Sequence, residues 1–445
     1  MSARIAIVGA GIAGLAAAYR LKNAALDPIV FERDGHVGGR MSSERVDGFL
    51  IDKAAYTFPE YHKNLTALLG EFGMSDALVR TAGTSSTFAR GKEYQVKIGS
   101  PSDFLRYKLL SLGNKKDMVK LYLYAQSLGR ALNLTDPTAK TFELEKESAA
   151  DYLLRNYSEE ILEYVAWPIF CEIFLGNPED NSKVPFLATL PNLTWFKIFS
   201  FREGMSTIPN RIAQGLDVRL NTPVQRVRRS GSGQGYEVET GGENPAVMDF
   251  DAVIFAVPAP SVPDILEEMP EDVRSLFHEV RYAKSLVAAF ALDRLHRNTT
   301  MINNLCRDNF QVVGTLVFDH HKGPERMPEG KGLMTSILCE KASSAFIEEA
   351  ESTVLDTVLK EVDALYPGIS KEVLFGRLYR WKYGAVQLPP GALAKQSSAR
   401  RILEEQFQTV SFAGDGLYKA SLETSFNSGL KAADHVMRGL GLSGG

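Results

Sequence analysis

The sequence predicts an α/β fold in which a Rossmann-like domain is interleaved with an α+β domain built from a sheet and helices. Two observations support this prediction. A glycine-rich motif at residues 9–14 stands between a short apolar strand and an alanine-rich helix. A second motif, Phe412 to Asp415, lies near the other end of the 445-residue chain. If both motifs belong to one domain, the segments between them form another.

The first motif opens a compact βαβ unit. Residues 4–8 read as a strand, residues 13–21 as a helix and residues 28–31 as the next strand, which closes at Glu32. An acidic residue about 20 positions after the glycines can accept hydrogen bonds from both hydroxyls of a ribose, and its charge would repel a 2′-phosphate. The unit therefore predicts a site for FAD or NAD rather than NADP.

The glycines have separate roles in such a unit. Gly9 permits the tight turn, Gly11 lets the backbone approach a pyrophosphate, and Gly14 lets the helix pack on the sheet. The N–H groups at the start of the helix, including those of Ile12 and Ala13, face the phosphates. We therefore predict all five residues as dinucleotide contacts.

Residues 32–40, Glu-Arg-Asp-Gly-His-Val-Gly-Gly-Arg, distinguish between the two cofactors. This stretch resembles the flavin-containing amine oxidase superfamily, which also includes protoporphyrinogen oxidases and phytoene-type desaturases. The resemblance implies FAD, with Arg33, Gly39 and Arg40 as further contacts. Paired glycines allow close backbone approach, and an arginine fork suits phosphate oxygens. Because no cysteine lies near the C-terminal motif, we expect the FAD to be noncovalent.

The resemblance continues along the chain. Residues 221–227 are similar to the strand that closes over the adenine, which implies Val224 as a contact. Residues 412–433 are similar to the C-terminal flavin motif. This similarity implies four further contacts with the cofactor: Gly414, Asp415, Thr424 and Ser425. In this motif a helix points its N-terminus at the flavin, where the positive helix end stabilises negative charge.

The flavin motifs divide the chain into alternating segments. The predicted FAD segments are 1–80, 204–290 and 390–445, and the substrate domain takes 81–203, mainly helical, and 291–389, mainly sheet. Within and beside the segment 291–389 we predict strands at 285–292 and 312–318 and one helix at 345–365.

Composition excludes several classes of protein. The formal charge of −4 gives no broad basic field, so we expect no nucleic-acid partner. Three scattered cysteines suit a reducing compartment rather than a disulfide framework. The first apolar run belongs to the strand and helix of the βαβ unit, and no run reaches the ~18 apolar residues of a membrane span. We therefore expect a cytoplasmic protein.

A second glycine-rich stretch, residues 230–235, invites comparison with a nicotinamide site. Such a site needs a helix after the glycines, but residues 236–240 alternate as a strand, which predicts a hairpin. Without a nicotinamide site, electrons must enter the flavin from the substrate. The protein would then be an oxidase or dehydrogenase rather than a reductase.

One strand bears on amine oxidation. In the amine oxidase branch that the chain resembles, a lysine on this strand holds a water near the flavin. Aligning Phe290 with the aromatic residue of the family puts Ser285, not Lys284, at the lysine position. An offset of one residue sends a side chain to the opposite face of a strand. The offset therefore indicates that this chain lacks the lysine, which argues against a simple amine oxidase. An alignment shifted by one residue would reverse this conclusion.

Substrate residues are harder to predict. Trp381 is a candidate wall of the substrate cavity by resemblance, and Tyr56 lies where the family runs past the flavin; a core role is the alternative for the tryptophan. No set of histidines, cysteines or acids has the spacing of a metal site. We expect surface positions for the histidines outside residues 32–40, which are His62, His278, His296, His320, His321 and His435.

Residues 104–132 interleave leucines with lysines and arginines. A basic amphipathic helix of this kind can lie on a membrane surface, so one expectation is peripheral membrane contact. The alternative is a helix that covers the core and turns its charged face to solvent.

The function predicted is FAD-dependent removal of a hydride onto flavin N5 from a small apolar or aromatic substrate, at a C–N or C–C bond, with electrons passed to oxygen or another acceptor. Two alternatives remain. One is a carotenoid- or lipid-type desaturase or non-redox isomerase, and the other is an FAD-binding protein without turnover. The sequence does not identify the substrate or the oligomeric state.

Overall fold

A computed structural model describes residues 3–81, 84–97, 99–193, 197–231 and 233–442. The described residues form twenty strands: β1 Ile5–Val8, β2 Ile29–Phe31, β3 Ser43–Val46, β4 Phe49–Asp52, β5 Phe58–Pro59, β6 Leu78–Arg80, β7 Thr84–Ala89, β8 Lys92–Lys97, β9 Ile198–Phe201, β10 Asp217–Arg219, β11 Val224–Arg229, β12 Tyr236–Thr240, β13 Ala246–Phe250, β14 Ala252–Phe255, β15 Tyr282–Leu292, β16 Ile302–Leu305, β17 Val313–Phe318, β18 Gly332–Leu338, β19 Val373–Val386 and β20 Val410–Phe412.

The same residues form sixteen α-helices: α1 Ile12–Asn23, α2 Lys63–Glu71, α3 Pro101–Arg106, α4 Leu112–Leu128, α5 Ala139–Leu144, α6 Ala149–Asn156, α7 Glu159–Ile161, α8 Trp167–Ile169, α9 Lys183–Thr189, α10 Thr207–Ala213, α11 Val262–Ile265, α12 Glu271–Glu279, α13 Glu340–Phe346, α14 Glu351–Leu365, α15 Ala392–Gln406 and α16 Leu422–Gly439. Two π-helical turns, Leu162–Ala166 and Phe170–Phe174, flank α8. The mixed architecture confirms the predicted α/β fold class with an added α+β unit.

A five-stranded parallel sheet, in the order β10-β2-β1-β14-β20, forms the centre of the part of the fold that contains both glycine motifs. All four residues of β1 are buried, as expected for a parallel strand covered on both faces. Helices α1 and α16 pack together so closely that a Cβ added at Gly429 would lie 2.1 Å from the Ala13 carbonyl oxygen. This contact brings the two distant glycine motifs to one edge of the sheet.

The predicted hairpin around residues 230–235 is confirmed. Strands β11 and β12 pair antiparallel on either side of this turn, and β13 completes a three-stranded sheet. Ser232 lies outside the described residues. No helix follows the glycines, so the segment lacks the helix start that would bind a second dinucleotide.

The second domain contains a seven-stranded sheet in the order β19-β15-β18-β17-β16-β7-β8. The strands predicted at 285–292 and 312–318 are β15 and β17. Because β15 begins at Tyr282, the boundary predicted at residue 290 falls inside this strand. The position where the chain crosses into this sheet therefore lies near residue 281.

The single helix predicted at 345–365 is wrong. The segment contains the end of α13 and the separate helix α14, which starts at Glu351. Arg380 on β19 donates hydrogen bonds to the carbonyl oxygens of Phe346, Ile347 and Glu349. Carbonyls at a helix end need such partners, and this arginine satisfies them at the break.

A buried ion cluster joins β4 to the seven-stranded domain. Asp52 accepts hydrogen bonds from Lys322 Nζ at 3.1 Å and from Arg326 at 2.6 Å. Lys322 Nζ also lies 2.5 Å from Asp319, whose other carboxylate oxygen accepts from Thr335 on β18. The charged side chains are at most 1% exposed. The cluster fixes the segment after β4, which contributes Tyr56 to the cavity described below.

Candidate active site

One cavity of about 1790 Å³ extends from the first glycine motif into the seven-stranded domain. A typical small-molecule pocket occupies roughly 300–1,000 Å³. The cavity is therefore large enough to hold a dinucleotide together with a second molecule.

Three glycines, Gly11, Gly39 and Gly414, line an open cradle at one end of the cavity. A Cβ added at Gly11 or Gly414 would meet no atom within 4 Å, and one added at Gly39 would have Gly11 Cα at 3.7 Å as its nearest neighbour. The space above these backbones therefore belongs to the cavity and not to the protein core. Such bare backbone fits the close approach of a pyrophosphate.

Gly9 and Gly14 serve the turn after β1 and the close packing of α1. Gly9 has a φ of +102°, and a Cβ added at Gly14 would lie 2.0 Å from the Gly9 carbonyl oxygen. Leu15 makes the first backbone hydrogen bond of α1, to Gly11 O at 3.0 Å, so the amides of Ile12 and Ala13 point out of the helix start. Both of these residues line the cavity beside the cradle.

Glu32 lies at the cavity wall at the end of β2. Its carboxylate accepts hydrogen bonds from the amides of Ala10, at 2.7 Å, and Asp34, at 3.0 Å. A carboxylate has about four acceptor positions, so two bonds leave capacity for ribose hydroxyls. The side chain of Arg33 is 74% exposed and has its Nε 3.8 Å from Asp34. Arg33 thus lies at the rim of the cavity, whereas Glu32 is buried in its wall.

Arg40 and Asp415 meet as a pair. Arg40 donates to both carboxylate oxygens of Asp415, at 2.6 and 2.8 Å, and to the carbonyl oxygen of Gly384. Tyr282 donates a further hydrogen bond to Asp415 at 3.0 Å. Burial alone would lower the pKa of the Arg40 guanidinium, but Asp415 raises it. The fork predicted to face phosphate is engaged by a carboxylate, and the pair links the two flavin motifs.

The remaining predicted cofactor residues lie around α16 and β11. Val224 and Ser425 line the cavity, whereas Thr424 is buried without lining it. Sequence reasoning missed the residues directly before the helix: Ala420 and Ser421 also line the cavity. The signal for them was present, because helix starts have unpaired N–H groups.

On β15 the two candidate side chains point in the directions predicted from strand alternation. Ser285 is 3% exposed and lines the cavity, whereas Lys284 is exposed on the opposite face. A β-bulge between Ala283 and Ser285 sets this register against β19. The position on this strand that faces the cavity therefore has a hydroxyl and not an ammonium.

Tyr56 and Trp381 both line the part of the cavity that lies beside the seven-stranded sheet. Trp381 donates its indole N–H to the carbonyl oxygen of Lys53 at 3.0 Å, which fixes the ring. Tyr56 donates to Glu172 Oε1 at 3.0 Å, and burial together with Glu172 raises its pKa well above the usual value. The phenol is therefore a hydrogen-bond donor to Glu172 and stays neutral.

Glu172 is a site residue that sequence reasoning missed. It lines the cavity within the π-helical turn Phe170–Phe174, a local geometry frequent at functional sites. Burial raises the pKa of its carboxyl group, although hydrogen bonds from Tyr56 and Asn304 partly oppose the rise. The available signal was one acid within the apolar run 169–175. Such an acid can hold or accept a proton beside a substrate.

The surface position expected for His62 is wrong. The residue is 9% exposed, lines the cavity and stacks on Phe58 with ring centroids 6.5 Å apart. Burial is the main cause that lowers its pKa to about 3, and the positive charge of Lys419 adds to the effect. His62 lies here because it is the capping residue of α2, at the end of the turn that follows β5, where its ring packs against Phe58. A single histidine gives no periodic signal from which this burial could be predicted.

Comparison with known proteins agrees with the geometry of the cavity. A family model described as flavin containing amine oxidoreductase matches residues 12–437. The chain belongs to this family. The predicted resemblance is confirmed, and the protein is a flavin-dependent oxidoreductase by family.

Relatives of this oxidoreductase cover almost the whole chain. Protoporphyrinogen oxidase 2 of Arabidopsis thaliana is 23% identical, with 98% of this chain and 94% of the relative aligned. Coproporphyrinogen III oxidase of Bacillus subtilis is 21% identical, with 97% of each chain aligned. The structure of cyclohexylamine oxidase from Brevibacterium oxydans has a TM-score of 0.75 at 17% identity, covering 99% of this chain and 100% of that one. This structural likeness shows a shared fold.

Proposed function

We propose that this protein is an FAD-dependent dehydrogenase or oxidase that takes a hydride from an apolar or aromatic substrate, at a C–N or C–C bond. The observation that carries the proposal is the single cavity that runs from the glycine cradle to Tyr56, Trp381 and Glu172. Bound FAD would supply hydride acceptance and transfer of electrons to oxygen or another acceptor. The protein would orient the substrate and hold its proton.

Noncovalent binding of FAD is part of the proposal. Cys171, Cys306 and Cys339 are buried, and none of them lines the described part of the cavity. Denaturation with acid or guanidinium should therefore release all of the flavin into the supernatant. Flavin retained by the precipitated protein would contradict noncovalent binding.

Glu172 is the group we propose to accept a proton from the substrate. Its burial and its hydrogen bond from Tyr56 hold it at the wall of the cavity, and the raised pKa brings its basicity closer to neutral pH. Proton transfer by a positioned side chain typically contributes about 10²–10⁴-fold in rate.

Replacing Glu172 with Gln should therefore slow flavin reduction at saturating substrate by at least about 100-fold. The acidic limb of the rate profile, which reports protonation of this base, should disappear with it. Stopped-flow absorbance of the flavin from pH 5 to 9 measures both effects. Glu159→Gln, on the exposed start of nearby α7, is the matched control. A normal rate with an unchanged acidic limb in Glu172→Gln would refute the role.

The function itself is tested by anaerobic titration with amines, porphyrinogens and polyenes, followed by admission of air. Porphyrinogens and amines are titrated first, because the names of similar proteins include porphyrinogen and amine oxidases. Loss of flavin absorbance with one compound, and its recovery with formation of peroxide, would support an oxidase. Product formed only with prereduced flavin would favour the isomerase alternative, and no reaction with any compound would favour a binding protein.

We also propose that α3 and α4 contact a membrane surface, with the protein itself in the cytoplasm. Leu105, Leu112, Val119 and Leu123 are 47–77% exposed on these helices, and Val119 also lines the cavity. Within the described residues, no helix has both the length and the apolar character required to cross a membrane. Exposed leucines beside lysines suit the surface of an anionic bilayer.

A vesicle assay tests this contact. We expect flotation with vesicles that contain phosphatidylserine, and at least about fivefold less flotation for Leu112→Ser/Leu123→Ser, because about 1.5–3 kcal/mol of burial is lost per leucine. Leu374→Ser, which removes a leucine that is 50% exposed on β19, is the control. Equal flotation of the double variant and the parent protein would exclude this surface.

A further inference from the structure

Lys419 is a cavity lysine whose charge is not compensated. It lies between the second glycine motif and α16, half-buried and in the cavity wall. Among the described residues no carboxylate lies within ion-pair distance of its ammonium group, whereas Lys53, another cavity lysine, lies 3.4 Å from Glu44. Burial lowers the pKa of Lys419, and no acid opposes this effect. A cation withdrawn from water without a partner is costly, which points to a ligand that supplies the partner.

The surroundings of Lys419 favour negative charge. The N-termini of α2 and α16 meet beside it, where His62 and Ser421 are the capping residues. The Ser421 hydroxyl lies 3.5 Å from His62 Nε2, and neither side chain caps its own helix. Helix N-termini each present a partial positive charge.

The nearest acid on α16 does not neutralise this region. Glu423 accepts hydrogen bonds from the amides of Asn64, at 2.8 Å, and Leu65, at 3.1 Å, at the start of α2. Its charge is thus engaged by the neighbouring helix. His62 stays neutral, since burial and Lys419 hold its pKa at about 3. Lys419 therefore provides the positive side-chain charge in this part of the cavity wall.

We infer that Lys419, with the neutral His62 and Ser421 beside it, binds an anionic group of the substrate, in the first instance a carboxylate. The apolar part of the same molecule would lie along Tyr56 and Trp381. The substrate class is then an aromatic or aliphatic molecule that bears a carboxylate, rather than a simple amine or a hydrocarbon polyene. This inference rests on the proposed function, because it names the substrate of that cavity.

Ligand binding to the FAD-loaded protein tests the inference without turnover. Benzoate and benzamide have the same shape and differ in charge, and each can be titrated while the flavin absorbance spectrum is recorded. We expect benzoate to bind at least about tenfold more tightly than benzamide, as a charge-assisted hydrogen bond predicts. Lys419→Met should raise the Kd of benzoate by about 10- to 100-fold and change that of benzamide less than twofold.

Further variants separate the effect of charge from an effect on folding. Lys419→Arg keeps the charge and should retain most of the preference for benzoate. Lys419→Gln keeps a polar side chain but no charge, so it should lose the preference, and it replaces Lys419→Met if that variant does not fold. Lys284→Met, on the exposed face of β15, should bind both ligands like the parent protein. FAD content and the reduction potential of the flavin are measured for each variant. These two readouts show whether Lys419 acts on the cofactor instead.

Three results would overturn the inference. They are equal affinity for benzoate and benzamide in the parent protein, an unchanged benzoate Kd in both neutral variants, and a loss of FAD or a shift in flavin potential with no change in benzoate binding. Failure of the proposed function gives a different pattern. Benzoate would then still bind through Lys419, but neither the compounds of the titration panel nor aromatic and aliphatic carboxylates added to it would reduce the flavin.

Discussion

Asp52→Asn should lower the free energy of unfolding by about 3–5 kcal/mol, the cost of removing one partner from a buried charge pair. The carboxylate accepts hydrogen bonds from Lys322 and Arg326, and the side chains of all three are at most 1% exposed. In the variant Lys322 keeps Asp319, but Arg326 keeps only the carbonyl oxygens of Phe201 and Leu50. Urea denaturation of the FAD-free protein, followed by tryptophan fluorescence, measures the loss.

The ion pairs that Asp52 forms with Lys322 and Arg326 also make the stability of the fold decrease in acid. Burial alone would raise the pKa of Asp52, but Lys322 and Arg326 bring it below the usual value. A carboxyl group with a lowered pKa in the folded state contributes stability that is complete above its unfolded pKa of about 4 and is lost as the pH falls through the lower folded value. The difference between the parent protein and Asp52→Asn should therefore be constant from pH 5 to 8 and shrink in acid.

Asp293→Asn is the matched control for this substitution. Asp293 also pairs with a lysine, Lys331, at 2.6 Å, but its side chain is 63% exposed. Exposed ion pairs contribute little to stability, so we expect no measurable change in the denaturation midpoint. Equal midpoints for both variants would show that the buried cluster does not stabilise the fold.

Local features of the site could be predicted from the sequence. The βαβ unit, the cradle glycines and the orientation of Ser285 depend on spacing within short segments, where strand alternation and helix geometry act directly. Even the hairpin at residues 230–235 follows from alternation in the next strand. For these features the neighbouring residues in the chain determine the structure.

Contacts between distant segments could not be predicted in this way. Lys322 and Asp52 are 270 positions apart. Arg380, which donates a hydrogen bond to the Ile347 carbonyl oxygen at the end of α13, lies on the distant strand β19. Glu172 is a single acid in an apolar run, and His62 lies in a polar stretch beside Glu60 and Lys63 that is typical of a surface turn. Their positions depend on how the two domains pack, which no local period encodes.

Gly11→Val should weaken FAD binding by more than about two orders of magnitude while leaving the fold intact. Gly11 has φ −68° and ψ 173°, a conformation open to any residue, and its added Cβ meets no protein atom within 4 Å. The new side chain would occupy the cradle above the start of α1, where we propose that the pyrophosphate approaches the backbone. We expect FAD affinity to fall by more than about 100-fold, or about 2.7 kcal/mol.

Two other glycines make this prediction specific. Gly70→Ala, inside α2 and with no atom within 4 Å, should bind FAD normally and gain about 0.5–1 kcal/mol of stability. Gly14→Ala should fail to fold, because its Cβ would lie 2.0 Å from the Gly9 carbonyl oxygen. Thermal denaturation and fluorescence titration with FAD distinguish the three outcomes. Normal FAD affinity in a folded Gly11→Val protein would mean that the pyrophosphate does not lie over this cradle, since a valine side chain and a phosphate cannot share the space.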